Sequence, residues 1–115
     1  MMPKGIAADW DATMGYDQTF VLNSVNQKVA ATVYAPQSGI CMKLFTKQPT
    51  VHFYSATFLT DMKGKNGVQY GPCSGFCLED QIHPDAVNLA HFPNTILRPG
   101  ETYTHETRYV FSVRA

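Results

Sequence analysis

From residue 15 onward, short alternating runs of apolar and polar residues are interrupted every few positions by glycine, proline or asparagine. Gly15-Tyr-Asp-Gln-Thr-Phe-Val-Leu22 becomes strand-like, Asn23-Ser-Val-Asn26 is a turn cluster, and Lys28-Val-Ala-Ala-Thr-Val-Tyr34 returns. The pattern predicts a hairpin there. Ala35-Pro-Gln-Ser-Gly39 is a further turn. Ile40 to Thr46 then alternates, with Ile40, Met42 and Leu44 on one face and Cys41, Lys43 and Phe45 on the other. After Gln48-Pro49-Thr50, residues Val51 to Leu59 form another predicted strand, followed by a polar, glycine-rich surface loop at Asp61 to Gly67.

In the next strand, Phe76 and Leu78 fall on one face and Cys77, Glu79 and Gln81 on the other. His83-Pro84-Asp85 ends it, because proline cannot donate to a central ladder. Residues 84 to 98 are irregular, with one helical turn at Ala86 to Ala90 and apolar anchors at Val87, Leu89, Phe92, Ile96 and Leu97. A last alternating run spans Thr102 to Val113. No sustained 3.6-residue period occurs, so the pattern predicts an all-β, antiparallel sandwich or barrel. Residues 1–14 lack a period and read as a loop or tail whose Trp10 docks elsewhere. Residues 15–115 read as part of one domain.

The chain has 115 residues, with nine Lys+Arg against nine Asp+Glu. Without a basic run, this balance argues against nucleic acid or an anionic membrane as the main partner. No apolar stretch approaches a membrane span, and the first residues lack the apolar core of a signal peptide. Three cysteines, an odd number, fit a reducing compartment, so the expected location is cytoplasmic. Cys41 and Cys77 read as small buried apolar residues, and Cys73-x3-Cys77 lacks a second ligand pair for zinc. Neither a metal nor a cofactor is called for by any motif.

Several side chains could carry chemistry. Glu79, held at a strand end beside a loop, suits general acid/base work; a solvated strand-end acid has the same spacing. Asp17 stands at a strand start, where Asp is uncommon, and reads either as an acceptor for a ligand hydroxyl or as a local turn cap. His52 lies mid-strand beside Tyr54, either as a structural histidine satisfied by one hydrogen bond or as a donor lining a polar pocket. His83, His91 and His105 share no metal-ligand spacing and read as structural or exposed. Trp10, Tyr16, Phe53, Tyr54 and Phe76 read mostly as core, with an aromatic floor for a sugar ring as the alternative.

Seven stretches occurring in order resemble the C-terminal portion of the galactose mutarotase (aldose 1-epimerase) family. They are Gly15-Tyr-Asp-Gln-Thr-Phe20, Gln48-Pro-Thr-Val-His-Phe-Tyr54, Gly64-Lys-Asn-Gly67, Ser74-Gly-Phe-Cys-Leu-Glu-Asp-Gln81, Pro84-Asp-Ala-Val-Asn88, Phe92-Pro93 and Leu97-Arg-Pro-Gly-Glu101. The resemblance implies an antiparallel β-sandwich of the mutarotase type, here its C-terminal part. It implies interconversion of the α and β anomers of a free hexose such as galactose or glucose. Glu79 would be the general base, and Asp17, His52 and Gln81 would contact the sugar. Two departures accompany it. The position of His52 is often glutamine in the family, and the family's acid histidine belongs to an N-terminal half with no counterpart here. Uncovered sheet edges and core faces would then favour a homo-oligomer, or pairing with the missing N-terminal half. A non-catalytic carbohydrate-binding or regulatory module, and an interaction fragment without a sugar site, are the competing readings.

Overall fold

The computed structural model describes residues 15–23 and 29–114. The expected tail at residues 1–14, Trp10 and most of the turn cluster after Asn23 lie outside the described residues. The order of elements is β1 (Asp17–Val21), β2 (Val29–Ala35), β3 (Ile40–Thr46), β4 (Thr50–Tyr54), β5 (Met62–Lys63), β6 (Gln69–Tyr70), β7 (Cys77–Gln81) and β8 (Thr107–Val113). Two 3-10 turns, Lys65–Gly67 and Ala86–Asn88, supply the only helix among the described residues. The strands form sheets in the orders β1-β4-β7, β2-β3-β8 and β5-β6. The fold class is therefore all-β and antiparallel, as the alternation predicts.

The predicted hairpin of β1 with β2 does not form: β1 pairs in the sheet of β4, and β2 pairs with β3. Alternation reveals that a segment is a strand but says nothing about which strand it pairs with. The hairpin that does form is β2–β3, closed by Pro36-Gln-Ser-Gly39. Gly39 donates its N–H to the Ala35 carbonyl at 2.9 Å and has φ 72°, a left-handed conformation suited to a residue without Cβ.

The chain clusters into two compact units. Among the described residues, one comprises residues 15–20 with 52–79, and the other residues 21–23 and 29–51 with 80–114. In the second unit, β3 pairs antiparallel with β2 on one side and β8 on the other, in register from Ile40↔Val113 to Thr46↔Thr107. A bulge between Val29 and Ala31 shifts the β2–β3 register. Cys41 and Leu44 are fully buried, although strict alternation puts them on opposite faces. Each side of this central strand is thus covered at a different point. Burial of Leu44 contributes about 1.5–3 kcal/mol.

On the β3–β8 pair, the Arg108 guanidinium lies 4.2 Å from the ring centroid of its register partner Phe45. β8 forms one edge of this sheet and leaves Tyr109, Val110, Phe111 and Val113 exposed. It begins only at Thr107, so the alternating residues 102–106 are not strand. The expected anchors Val87, Ile96 and Leu97 are exposed too, while Ala86 in the predicted helical turn is buried.

In the first unit the strand expected to reach Leu59 stops at Tyr54. Ala56 adopts φ 57°, which ends the extended run. Its carbonyl accepts N–H bonds from Leu59 and Cys73, both at 3.2 Å. The loop expected at 61–67 is in part a ribbon, with Met62 opposite Tyr70 and Lys63 opposite Gln69. Cys77, expected to be buried, is exposed, because it lies on the same face of β7 as Glu79.

Candidate functional site

Tyr16 anchors the start of β1. Its N–H donates to Ser55 Oγ at 2.8 Å, and the Ser55 N–H donates back to the Tyr16 carbonyl at 2.9 Å. Gly15 allows this approach: a Cβ there would lie 2.6 Å from Ser55 Oγ, and φ is already 65°. The ring of Tyr16 is buried, with its centroid 5.1 Å from that of Phe53. Because successive side chains alternate, Asp17 then points to the opposite side from Tyr16, and His52 to the opposite side from Phe53.

On that side Asp17 and His52 meet. His52 Nε2 lies 2.8 Å from Asp17 Oδ1, and His52 Nδ1 lies 2.7 Å from Thr19 Oγ1. Asp17 and Thr19 are two residues apart on β1, so both face the imidazole. The carboxylate can only accept, so this contact suits a proton on Nε2, and in a neutral ring with that tautomer Nδ1 accepts the Thr19 hydroxyl proton. The Asp17 side chain is 51% exposed and that of His52 21%. Asp17 is therefore not a turn cap, and His52 makes two hydrogen bonds rather than one.

β7 is the remaining strand of this sheet. Phe76 makes an edge contact with Phe53, ring centroids 6.2 Å apart. Alternation from Phe76 through half-buried Leu78 turns Glu79 to the face opposite Phe53, which is the face of His52. Glu79 is exposed, and among the described residues no hydrogen bond or ion pair engages its carboxylate. Gln81 is half-buried, and its backbone carbonyl accepts the Thr50 hydroxyl at 2.8 Å. The face thus carries an unengaged carboxylate, a half-engaged one and an imidazole with both nitrogens occupied, backed on its other side by Tyr16, Phe53 and Phe76. Such a surface can accept protons and hydroxyl hydrogen bonds.

The residue after Glu79 was not singled out by the sequence. Asp80 is 9% exposed at its side chain, and its Oδ2 accepts the hydroxyls of Thr46 and, at 2.7 Å, Thr107. His105 Nε2 lies 3.3 Å from the same oxygen and 2.9 Å from Thr107 Oγ1. Gln48, itself buried, places its amide nitrogen 3.0 Å from His105 Nδ1 and 2.8 Å from the Tyr103 hydroxyl. His105 is thus structural, as read from the sequence. His83 stacks on Phe92 with centroids 4.2 Å apart, and its buried Nδ1 has no hydrogen-bond partner among the described residues. Among the described residues no cluster of three or more His, Cys, Asp or Glu side chains could hold a metal ion. No helix among them is long and apolar enough to cross a membrane.

The family model described as aldose 1-epimerase matches residues 2–110. This chain belongs to the aldose 1-epimerase family. Human galactose mutarotase is 48% identical over 101 residues, a span covering 86% of this chain and 30% of the human protein. The aldose 1-epimerase of Escherichia coli strain K12 is 35% identical over 101 residues, covering 84% of this chain and 29% of the bacterial one. Among solved structures, the GalM/aldose epimerase homologue from C. elegans superposes with a TM-score of 0.79 at 34% identity, covering 86% of this chain and 30% of that one. The fold is accordingly of the mutarotase type. The chain spans about 30% of the length of the curated mutarotases it matches.

Proposed function

We propose that the protein takes part in mutarotation, the interconversion of the α and β anomers of a free aldohexose such as galactose or glucose, with Glu79 as the general base. The observation that carries this reading is the Glu79 carboxylate: exposed, unengaged, and on the same face of the sheet as the Asp17–His52 pair. In the proposed reaction Glu79 takes the proton of the anomeric hydroxyl as the C1–ring-oxygen bond breaks and the ring oxygen gains a proton. Rotation about C1–C2 and closure in the reverse sense give the other anomer and return both protons. Asp17 accepts a sugar hydroxyl, and Gln81 supplies a further polar contact. His52 is not assigned as the proton donor to the ring oxygen, since both its nitrogens are occupied, and water can supply that proton.

That occupancy also favours a second reading, sugar binding without turnover. Polarimetry of α-galactose with the full chain and its Glu79→Gln variant, paired with calorimetric titration of galactose, separates the two. The expected result is a rate above buffer that falls at least about 100-fold in the variant, the usual size of a general-base contribution. Binding without any rate would replace the first reading by the second. Neither rate nor binding in a folded chain would overturn both.

A further inference from the structure

We propose that His52 is a positioning residue that acts through Asp17, and that the Thr19 hydroxyl selects the tautomer that lets it do so. The claim that this arrangement serves a sugar rests on the aldose reading above; the hydrogen-bond relay itself does not. The relay runs Thr19 Oγ1–H to His52 Nδ1 at 2.7 Å, then His52 Nε2–H to Asp17 Oδ1 at 2.8 Å. Neutral imidazole carries one N–H. If that proton sat on Nδ1, Nε2 would turn a lone pair toward the carboxylate, and the 2.8 Å approach would be repulsive. A hydroxyl donating into Nδ1 keeps the proton on Nε2.

Two consequences follow for the face. The Asp17 side chain, half exposed, is held by one of its oxygens while Oδ2 remains to accept a ligand hydroxyl. Ordering the carboxylate before the ligand arrives removes side-chain entropy that binding would otherwise have to overcome. And with both nitrogens engaged, His52 is neither a direct sugar contact nor the acid for the ring oxygen. The expectation that His52 touches substrate is thereby replaced by an indirect role.

The test combines two readouts on the full chain. Long-range 1H–15N NMR of the ligand-free, 15N-histidine-labelled protein at pH 8 reads the tautomer of His52 directly. The expected wild-type pattern is protonated Nε2 and bare Nδ1, with Thr19→Val shifting the ring to mixed tautomers and Thr19→Ser restoring it. Calorimetric titration with galactose should then show about three- to tenfold weaker binding in Thr19→Val, the equivalent of one net hydrogen bond, with recovery in Thr19→Ser. A wild-type ring protonated at Nδ1, or at both nitrogens, overturns the relay. So does a Thr19→Val variant with unchanged tautomer and unchanged affinity. If wild type shows the expected tautomer yet binds no galactose, the relay stands and the aldose reading, with the sugar role of Asp17, is overturned.

Discussion

Each of the two compact units holds a carboxylate, an imidazole and a threonine in hydrogen-bond contact, yet the two clusters differ in what they leave over. In the second unit the Asp80 carboxylate is nearly buried, and one oxygen takes Thr46, Thr107 and His105 together. His105 is fixed in turn by Gln48 and Thr107, so the donors are consumed within the cluster. In the first unit Asp17 is half exposed and gives one oxygen to His52, and among the described residues no hydrogen bond engages the other. The same three side-chain types make a fastening in one place and an open acceptor in the other. Burial and the number of donors, rather than residue identity, decide which.

The contrast is broken most forcefully at Asp80. Asp80→Ala removes an acceptor shared by two hydroxyls, with an imidazole nitrogen 3.3 Å away, and hydrogen bonds to a charged group contribute about 1.5–3 kcal/mol each. Water can reach part of the vacated site, since the His105 side chain is about one-third exposed. The net loss expected is therefore about 3 kcal/mol, read as a lowered urea midpoint with an unchanged slope. A loss below about 1 kcal/mol would mean that the second cluster rehydrates freely and is no more a fastening than the first.

At Asp17 the same substitution should do little to stability. The one hydrogen bond that Asp17 accepts from His52 is solvent-exposed and contributes about 1 kcal/mol or less, and Asp17→Ala should fall in that range by the same urea titration. Its expected effect is on galactose affinity instead. An Asp17→Ala variant as destabilised as Asp80→Ala would show that the first cluster, too, is structural, and would remove the ground for placing a ligand on it.

Part of this was legible in the residues. Alternation revealed β3, β7 and most of β4, and Pro36 to Gly39 marked a real turn. Strand pairing was not legible, because β1 and β2 each carry a pattern that would suit several neighbours, and β1 joined β4. Asp80 carried an unused signal. Counting alternately from Phe76 and Leu78 puts it on the apolar-facing side of β7, where a carboxylate needs donors, and the structure supplies them from Thr46 and Thr107, which are register partners at the end of β3 and the start of β8. Thr19 carried another, since it is two residues beyond Asp17 on a strand. What no pattern could supply was that His52 would meet both.

The smallest expected effect lies at Ala56, which ends β4 just beyond the first cluster. Alanine at φ 57° costs about 1–2 kcal/mol relative to a right-handed conformation, so glycine should relieve strain there. Two terms oppose that relief. Glycine has more unfolded-state freedom to lose, about 0.4–1 kcal/mol, and the nearly buried methyl group would give up about 0.8 kcal/mol of burial. The three contributions nearly cancel, so Ala56→Gly should change stability by no more than about 0.5 kcal/mol, a shift of about 2–4 °C in Tm at this chain length. A rise well beyond that would mean the methyl packs against nothing and the left-handed turn is the dominant strain. A fall well beyond it would mean that the bonds from Leu59 and Cys73 to the Ala56 carbonyl already hold the turn at little cost. In that case the end of β4 beside His52 would be rigid through its packing rather than in spite of its backbone.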